Sequence, residues 1–349
     1  MRDKSEQNNH KMGENTGHLP HVIVVGGGAW GTALAQTIAT AHHCKQIQLL
    51  TRSAEQASLI NGARENHRYL PGIKLHSAIQ AISEAANLRH ADILVLAVPG
   101  QKLRECLGTL RAAIAPSAKI ILAIKGLEEN THLRMSEIVA EILPNHEVAV
   151  LAGPSFAHEV MRGLPCSLVL AAENLAEAAV FLPIFTTETM RLYPSSDILG
   201  AELGGTVKNV LAIACGIAAA MQLGENARAA LITRGLAEMV RLGEALGAGR
   251  QTLYGLSGMG DLVLTCGGTT SRNFRFGLAL GQGQKASEAE QKIGTVEGLH
   301  SAWSLVALAK KCAVDMPIST AVLAIITEKL SPQAAVHKLL TRDIRQDGE

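Results

Sequence analysis

The chain has 349 residues, with 32 basic side chains against 31 acidic ones and a formal net charge of +1. That balance leaves no field of one sign for nucleic acid or an anionic membrane surface, so neither is an expected partner. At 47% hydrophobic, 18% charged and only 3% aromatic, it has the length for about two domains with cores of Ala, Val, Ile and Leu, which excludes both a disordered chain and a disulfide-stapled miniature.

Residues 1–20 are polar, running through Asn8, Asn9, Glu14 and Asn15, and lack the apolar run of a signal peptide. They are expected to form a disordered arm. From His21 to residue 205, short apolar runs alternate with helical patterns: Val22–Val25, Ile47–Leu50, Ile93–Val98, Ile120–Ile124, Val148–Ala152, Ser167–Ala171 and a weaker run at Arg191–Tyr193. Most are continuous Val, Ile, Leu and Ala, the pattern of strands covered on both faces, and the alternation predicts a parallel sheet wrapped by helices.

Beyond residue 205 the β-like runs nearly vanish. Ile232, Leu236, Met239, Val240 and Leu246 recur at helical spacing, with Gly247 as a stop, and Ser301–Lys311 suggests a further helix. Ser331 followed by Pro332 reads as the opening of a terminal helix. The expected organisation is an α/β domain over 21–205 and an all-α domain over 206–349.

Two stretches without formal charge, Val22–Cys44 and Asn209–Gly224, raise the question of a membrane span. The first contains the triplet Gly26, Gly27 and Gly28 and the second is short, so neither is expected to span. Cys44, Cys106, Cys166, Cys215, Cys266 and Cys312 are widely spaced, with no C-x-x-C pair, and read as reduced, buried thiols of a cytoplasmic protein.

The strongest local signal is the run Val22–Val25 followed by Gly26-Gly-Gly28-Ala29-Trp30-Gly31 and an apolar helical pattern. A strand, a G-x-G-x-x-G turn and a helix form the dinucleotide-binding arrangement: Gly26 for the tight turn, Gly28 for close approach of a pyrophosphate, Gly31 for helix packing. The fold expected over 21–205 is therefore a Rossmann-type doubly wound sheet. Where an NAD-selective site would place Asp or Glu, the sequence reads Thr51, Arg52 and Ser53. A cation with two hydroxyls suits a 2'-phosphate, so NADP(H) should bind at least as well as NAD(H); the alternative is a merely solvent-exposed Arg52.

Ligands of such sheets gather beyond the carboxyl ends of the strands. Lys125 and Gly126 follow one strand, and Gly153, Pro154, Ser155, Phe156 and Ala157 follow another. In the second half, Lys208 and Asn209 interrupt an apolar helical pattern. A lysine there either serves chemistry with a lowered pKa or snorkels to water from the helix rim. Gly258-Met-Gly260-Asp261, running on to Thr265, and the triplet Ser271, Arg272 and Asn273 complete the set, the latter as a phosphate clamp or an ordinary polar turn.

The segments GGGAWGTALA, KGLE, AGPSFAHE, LGGTVKNVLAIA, NARAALITRGLAEM, GMGDLVLTC, SRNFRFG and VEG occur in this order between residues 22 and 298. Together they resemble the bacterial NAD(P)-dependent sn-glycerol-3-phosphate dehydrogenase family. Three consecutive glycines and the hydrophilic N-terminal arm depart from the family pattern without removing a chemical role. The resemblance implies reversible reduction of dihydroxyacetone phosphate to sn-glycerol 3-phosphate with NADP(H) or NAD(H), for glycerophospholipid synthesis, by a cytoplasmic homodimer.

By the same resemblance, Lys208 is the general acid, and Lys125 orients substrate and stabilises negative charge. Asp261, Asn209 and Thr265 hold the lysines and the substrate oxygens. Arg272 and Asn273, with Ser271, bind phosphate, and Gly153 and Ser155 touch substrate. Trp30, Arg52, Ala157, Val296 and Glu297 touch the cofactor, joined there by Gly26, Gly28, Ala29, Gly31, Lys125 and Arg272. The rivals are another phospho- or hydroxy-acid dehydrogenase of the 6-phosphogluconate dehydrogenase type, which should lack the combined GPSFA, KN and SRN segments, and a non-catalytic NADP(H) sensor, which could lose Lys208 or Asp261.

Overall fold

The computed structural model describes residues 19–342, so the expected arm lies outside the described residues except for Leu19 and Pro20. Eight strands form one sheet: β1 (His21–Val25), β2 (Gln46–Leu50), β3 (Ile79–Ile82), β4 (Ile93–Leu96), β5 (Lys119–Leu122), β6 (Val148–Ala152), β7 (Cys166–Ala171) and β8 (Met190–Ser195). Their order is β3-β2-β1-β4-β5-β6-β7-β8, parallel except where β7 runs antiparallel to β6. The first six follow the doubly wound order, with the crevice between β1 and β4, where the order reverses.

The seven apolar runs of the sequence each coincide with a strand, but β3 escapes them. Its sequence, Ile-Gln-Ala-Ile, is short and half polar, and Gln80 is exposed while Ile79 and Ile82 are buried. It is an edge strand, and edge strands carry the weakest pattern. The antiparallel step at β7 was equally invisible, because a strand buried on both faces reads the same in either direction.

Helices α1 (Ala29–Ala41), α2 (Ala54–Ala63), α3 (Leu103–Leu110), α4 (Met135–Ile142), α5 (Ala157–Met161) and α6 (Leu175–Phe185) cover the sheet. One face buries Val22, Val24, Ile47 and Leu49 with Leu34 and Ile38 of α1 and Phe181 of α6; the other buries Ile23, Leu94, Ile120 and Leu122 with Leu103, Leu107 and Ile138 of α3 and α4. Leu and Ile side chains buried from water in this way contribute about 1.5–3 kcal/mol each in transfer terms.

The second half is helical: α7 (Ile198–Ala220), α8 (Gly224–Leu246), α9 (Arg250–Tyr254), a π turn at Leu256–Gly260, α10 (Asp261–Cys266), α11 (Arg272–Gly281), α12 (Ala286–Ile293), α13 (Glu297–Lys311), α14 (Pro317–Ile326) and α15 (Pro332–Leu340). Helix α7 is its axle, and the division anticipated at 205/206 falls inside it. Its first turns belong to the sheet, where Ala201 joins the buried cluster that contains Leu122 and Val150, whereas Leu203, Val207 and Leu211 join the helical core.

By length and composition α7 could cross a membrane, since it extends well upstream of the charge-free stretch. What excludes a span is burial: 89% of its most apolar stretch is buried inside the protein. All six cysteines are free, but only Cys215 and Cys266 are buried, and the other four are half-buried.

Candidate active site

The chain after β1 turns sharply at Gly26, whose φ of +124° and missing Cβ, 2.6 Å from the Ala97 carbonyl oxygen, admit no other residue without strain. Gly31 meets the Gly26 carbonyl oxygen so closely that a Cβ would sit 2.0 Å away, which seats α1 against the turn. The middle glycine has its own reason, since a Cβ on Gly27 would lie 2.9 Å from Thr51 Cγ2 and 3.0 Å from Gln56 Nε2. Gln56 Nε2 (2.8 Å) and Asn66 Nδ2 (3.0 Å) donate to the Gly27 carbonyl and brace the loop, two residues no sequence signal identified.

Above Gly28 the space is open, with nothing within 4 Å of a hypothetical Cβ. The first turn of α1, which includes Ala29 and Trp30, has no acidic side chain, and no side chain caps its free N–H groups at Gly28. Open space over uncapped donors at the positive end of a helix fits the pyrophosphate of a dinucleotide.

At the end of β2, Arg52 is exposed, but its neighbours differ from expectation. The Thr51 hydroxyl is buried and donates to the carbonyls of Ser53 (3.0 Å) and Ile82 (3.1 Å), while Ser53 Oγ caps α2 by accepting from Gln56 N (3.2 Å). Of the three groups read as a 2'-phosphate seat, the Thr51 hydroxyl is turned away because it closes the backbone between β2 and β3.

Across the crevice, Lys125 follows β5 and Gly153 follows β6, and the second half brings Lys208 and Asp261 to meet them. Asp261 is 1% exposed and holds one ammonium on each carboxylate oxygen: Lys125 Nζ donates to Oδ2 and Lys208 Nζ to Oδ1, both at 2.6 Å. Lys208 also donates to Thr265 Oγ1 (2.8 Å), one turn beyond Asp261 on α10, and Lys125 to the Gly153 carbonyl (3.2 Å). Ser155 Oγ donates to that same carbonyl at 3.1 Å, and Ala157 opens α5 beside it.

The charges in this cluster follow from burial and count. Two cations share one buried anion. Burial works against the Asp261 charge, but the two ammoniums override it and hold the carboxyl below its ordinary range. Burial also opposes the charge on Lys125, yet Asp261 prevails and its pKa is raised. Lys208 is the deeper of the two, and there burial wins: with Lys125 repelling it, its pKa is pushed down to about 8 despite Asp261.

Asn209 and Asn273, expected on substrate oxygens and phosphate, bond to each other: Asn273 Nδ2 donates to Asn209 Oδ1 (2.9 Å), and Asn273 Oδ1 accepts from Gly298 N (2.9 Å). Asn209 Nδ2 donates to Glu297 Oε2 at 3.2 Å, so these amides tie α7, α11 and α13 together beneath the lysines. The Ser271 hydroxyl caps α11 by accepting from Phe274 N (3.2 Å). Arg272, by contrast, is exposed at the first position of α11, whose first turn has no acidic residue. Val296, expected at the cofactor, is fully buried in the helical core, backbone and side chain alike.

A second buried carboxylate fastens the two halves. Glu202 on α7 accepts from Arg134 Nη1 (3.0 Å), Ser136 N (2.8 Å) and Ser136 Oγ (2.6 Å) at the start of α4. Ser304 of α13 donates to the Glu128 carbonyl at 3.0 Å. Both contacts hold the segment after Lys125 against the helical half. The reasoning that singled out Lys208, a charge in an apolar helix, applies equally to Glu202.

The family profile described as the N-terminus of NAD-dependent glycerol-3-phosphate dehydrogenase matches residues 21–178, and the profile of its C-terminus matches residues 197–337. A glycerol-3-phosphate dehydrogenase [NAD(P)+] of Parvibaculum lavamentivorans is 47% identical over 327 residues, covering 93% of this chain and 98% of that protein. One from Rhodospirillum rubrum is 44% identical over 332 residues, covering 95% of each. Among solved structures, the glycerol-3-phosphate dehydrogenase of Coxiella burnetii superposes with a TM-score of 0.87 at 39% identity, covering 93% of this chain and 99% of that one.

Proposed function

The chain belongs to the NAD-dependent glycerol-3-phosphate dehydrogenase family, and on that premise we propose that Lys208 is the proton donor of its reaction. The reaction is the reversible, NAD(P)H-dependent reduction of dihydroxyacetone phosphate to sn-glycerol 3-phosphate. The observation that supports the assignment is the pair of ammoniums on one buried carboxylate, just beyond the carboxyl ends of β5 and β6.

When bound, the nicotinamide supplies the hydride. Lys208, with its pKa near 8, is protonated at neutral pH yet acidic enough to give a proton to the developing alkoxide, and it takes one back in the reverse direction. Lys125 keeps its charge and stabilises the same oxygen electrostatically. Asp261 stays anionic and, with Thr265, aims Lys208. Arg272, exposed at the first position of α11, anchors the phosphate, and Asn209 and Asn273 position the helices that carry Lys208 and Arg272.

Gly26, Gly28 and Gly31 with α1 hold the pyrophosphate, and Arg52 faces the adenosine ribose, where its charge favours NADP(H). The two-domain division rests on the change from alternating apolar runs to helical spacing near residue 205, the cytoplasmic location on the widely spaced cysteines and the family resemblance, and the homodimer and the supply of glycerophospholipid synthesis on that resemblance alone. Light scattering and cell fractionation test the assembly and the location.

The direct test is loss of reduced-nicotinamide absorbance with dihydroxyacetone phosphate, comparing NADPH with NADH and using unphosphorylated dihydroxyacetone as control. Oxidation that requires the phosphate supports the reading. Tight NADPH binding without oxidation moves the search to another substrate or to a sensor.

A further inference from the structure

Helix α7 carries two adjacent glycines, Gly204 and Gly205, one turn before Lys208. Neither has a positive φ, so backbone conformation does not require glycine at either position. What they share is the absence of a side chain where α7 meets the reactive cluster. A Cβ on Gly204 would lie 2.3 Å from the Ser257 carbonyl oxygen and 2.9 Å from Gly258 Cα, in the π turn that leads directly into Asp261. A Cβ on Gly205 would lie 3.2 Å from Cγ and 3.4 Å from Cδ of Lys125. The first neighbour is rigid backbone; the second is a flexible stem.

We infer that Gly205 is a positioning residue for the reaction: its bare surface seats the aliphatic stem of Lys125, so that the ammonium reaches Asp261 beside Lys208. The inference rests on reading these three residues as the reactive cluster. With the Gly205 seat filled, the Lys125 stem must give by a few tenths of an ångström while the fold stays intact, since only a side chain has to yield. The Lys125 ammonium is then drawn off its place on Asp261 Oδ2, which weakens its repulsion of Lys208 while Asp261 and Glu297 go on attracting it, so the Lys208 proton is held more tightly.

The test is Gly205→Ala in the full-length enzyme, with Lys125→Ala and the double variant alongside. Reduction of dihydroxyacetone phosphate requires protonated Lys208, and its rate falls on the alkaline side. In Gly205→Ala that fall should move to higher pH by about half a unit, with kcat down about tenfold and the melting temperature within a few degrees of the parent. Lys125→Ala should shift it in the same direction, and the double variant should add nothing to that shift. A role in helix packing alone would lower stability and leave the pH profile in place.

An unmoved profile in Gly205→Ala beside a moved one in Lys125→Ala overturns the inference, as does a Gly205→Ala protein that no longer folds. Full activity of Lys208→Ala, or no alkaline fall in the parent enzyme, would instead overturn the reading of the cluster itself.

Discussion

Lys208 Nζ lies 2.6 Å from Asp261 Oδ1, and the other oxygen of that carboxylate is held at the same distance by Lys125. One anion thus serves two cations, and they divide its influence unequally: the deeper lysine is left near neutrality while the shallower one stays firmly charged.

Replacing Lys208 by Ala removes the proton donor but nothing near the glycine loop. Turnover should fall about a thousandfold, in the range general acids contribute, while the NADPH dissociation constant changes little. Stopped-flow turnover and fluorescence titration of NADPH separate the two, and near-normal turnover would reject the role.

The pH dependence has a definite sign. Reduction needs the ammonium and should decline as pH rises through about 8, whereas oxidation of sn-glycerol 3-phosphate needs the free amine and should rise through the same value. Profiles of kcat/KM in both directions should mirror each other. Parallel profiles would mean that another group titrates.

Asp261→Asn keeps the volume and deletes the charge. Lys208 then faces burial and Lys125 with only the charge of Glu297 to offset them, so the alkaline fall in reduction should move to lower pH. Removing one partner of a buried ion pair costs about 3–5 kcal/mol when the other stays charged. Loss of a lysine proton reduces that cost, so the melting temperature should drop less at alkaline pH than at neutral pH. Calorimetry at two pH values checks this.

Arg272→Ala should raise KM for dihydroxyacetone phosphate roughly 10- to 100-fold, the scale of a lost charge-assisted hydrogen bond. Unphosphorylated dihydroxyacetone should be turned over as slowly by the variant as by the parent. An unchanged KM would remove Arg272 from the phosphate site.

Arg52→Ala should weaken NADPH about tenfold and NADH by less than about twofold, because only NADPH carries the 2'-phosphate. Equal losses would mean that Arg52 does not distinguish the cofactors. Since the Thr51 hydroxyl is committed to backbone carbonyls, Thr51→Val should disturb the β2–β3 junction more than cofactor choice.

What the amino-acid sequence determined by itself was whatever depends on neighbours along the chain. The period of the apolar runs placed seven of the eight strands, the steric demand of a tight turn marked Gly26 and Gly31, and a charge inside an apolar helix marked Lys208. Tertiary structure decided the rest. The meeting of Lys125 with Asp261 joins residues 136 positions apart and depends on how α7, the π turn and β5 pack. Which hydroxyl faces a ligand, which asparagine is spent on its neighbour, and which of two lysines loses its proton near neutrality are all set by burial and by distance to other charges, quantities that exist only once the chain has folded.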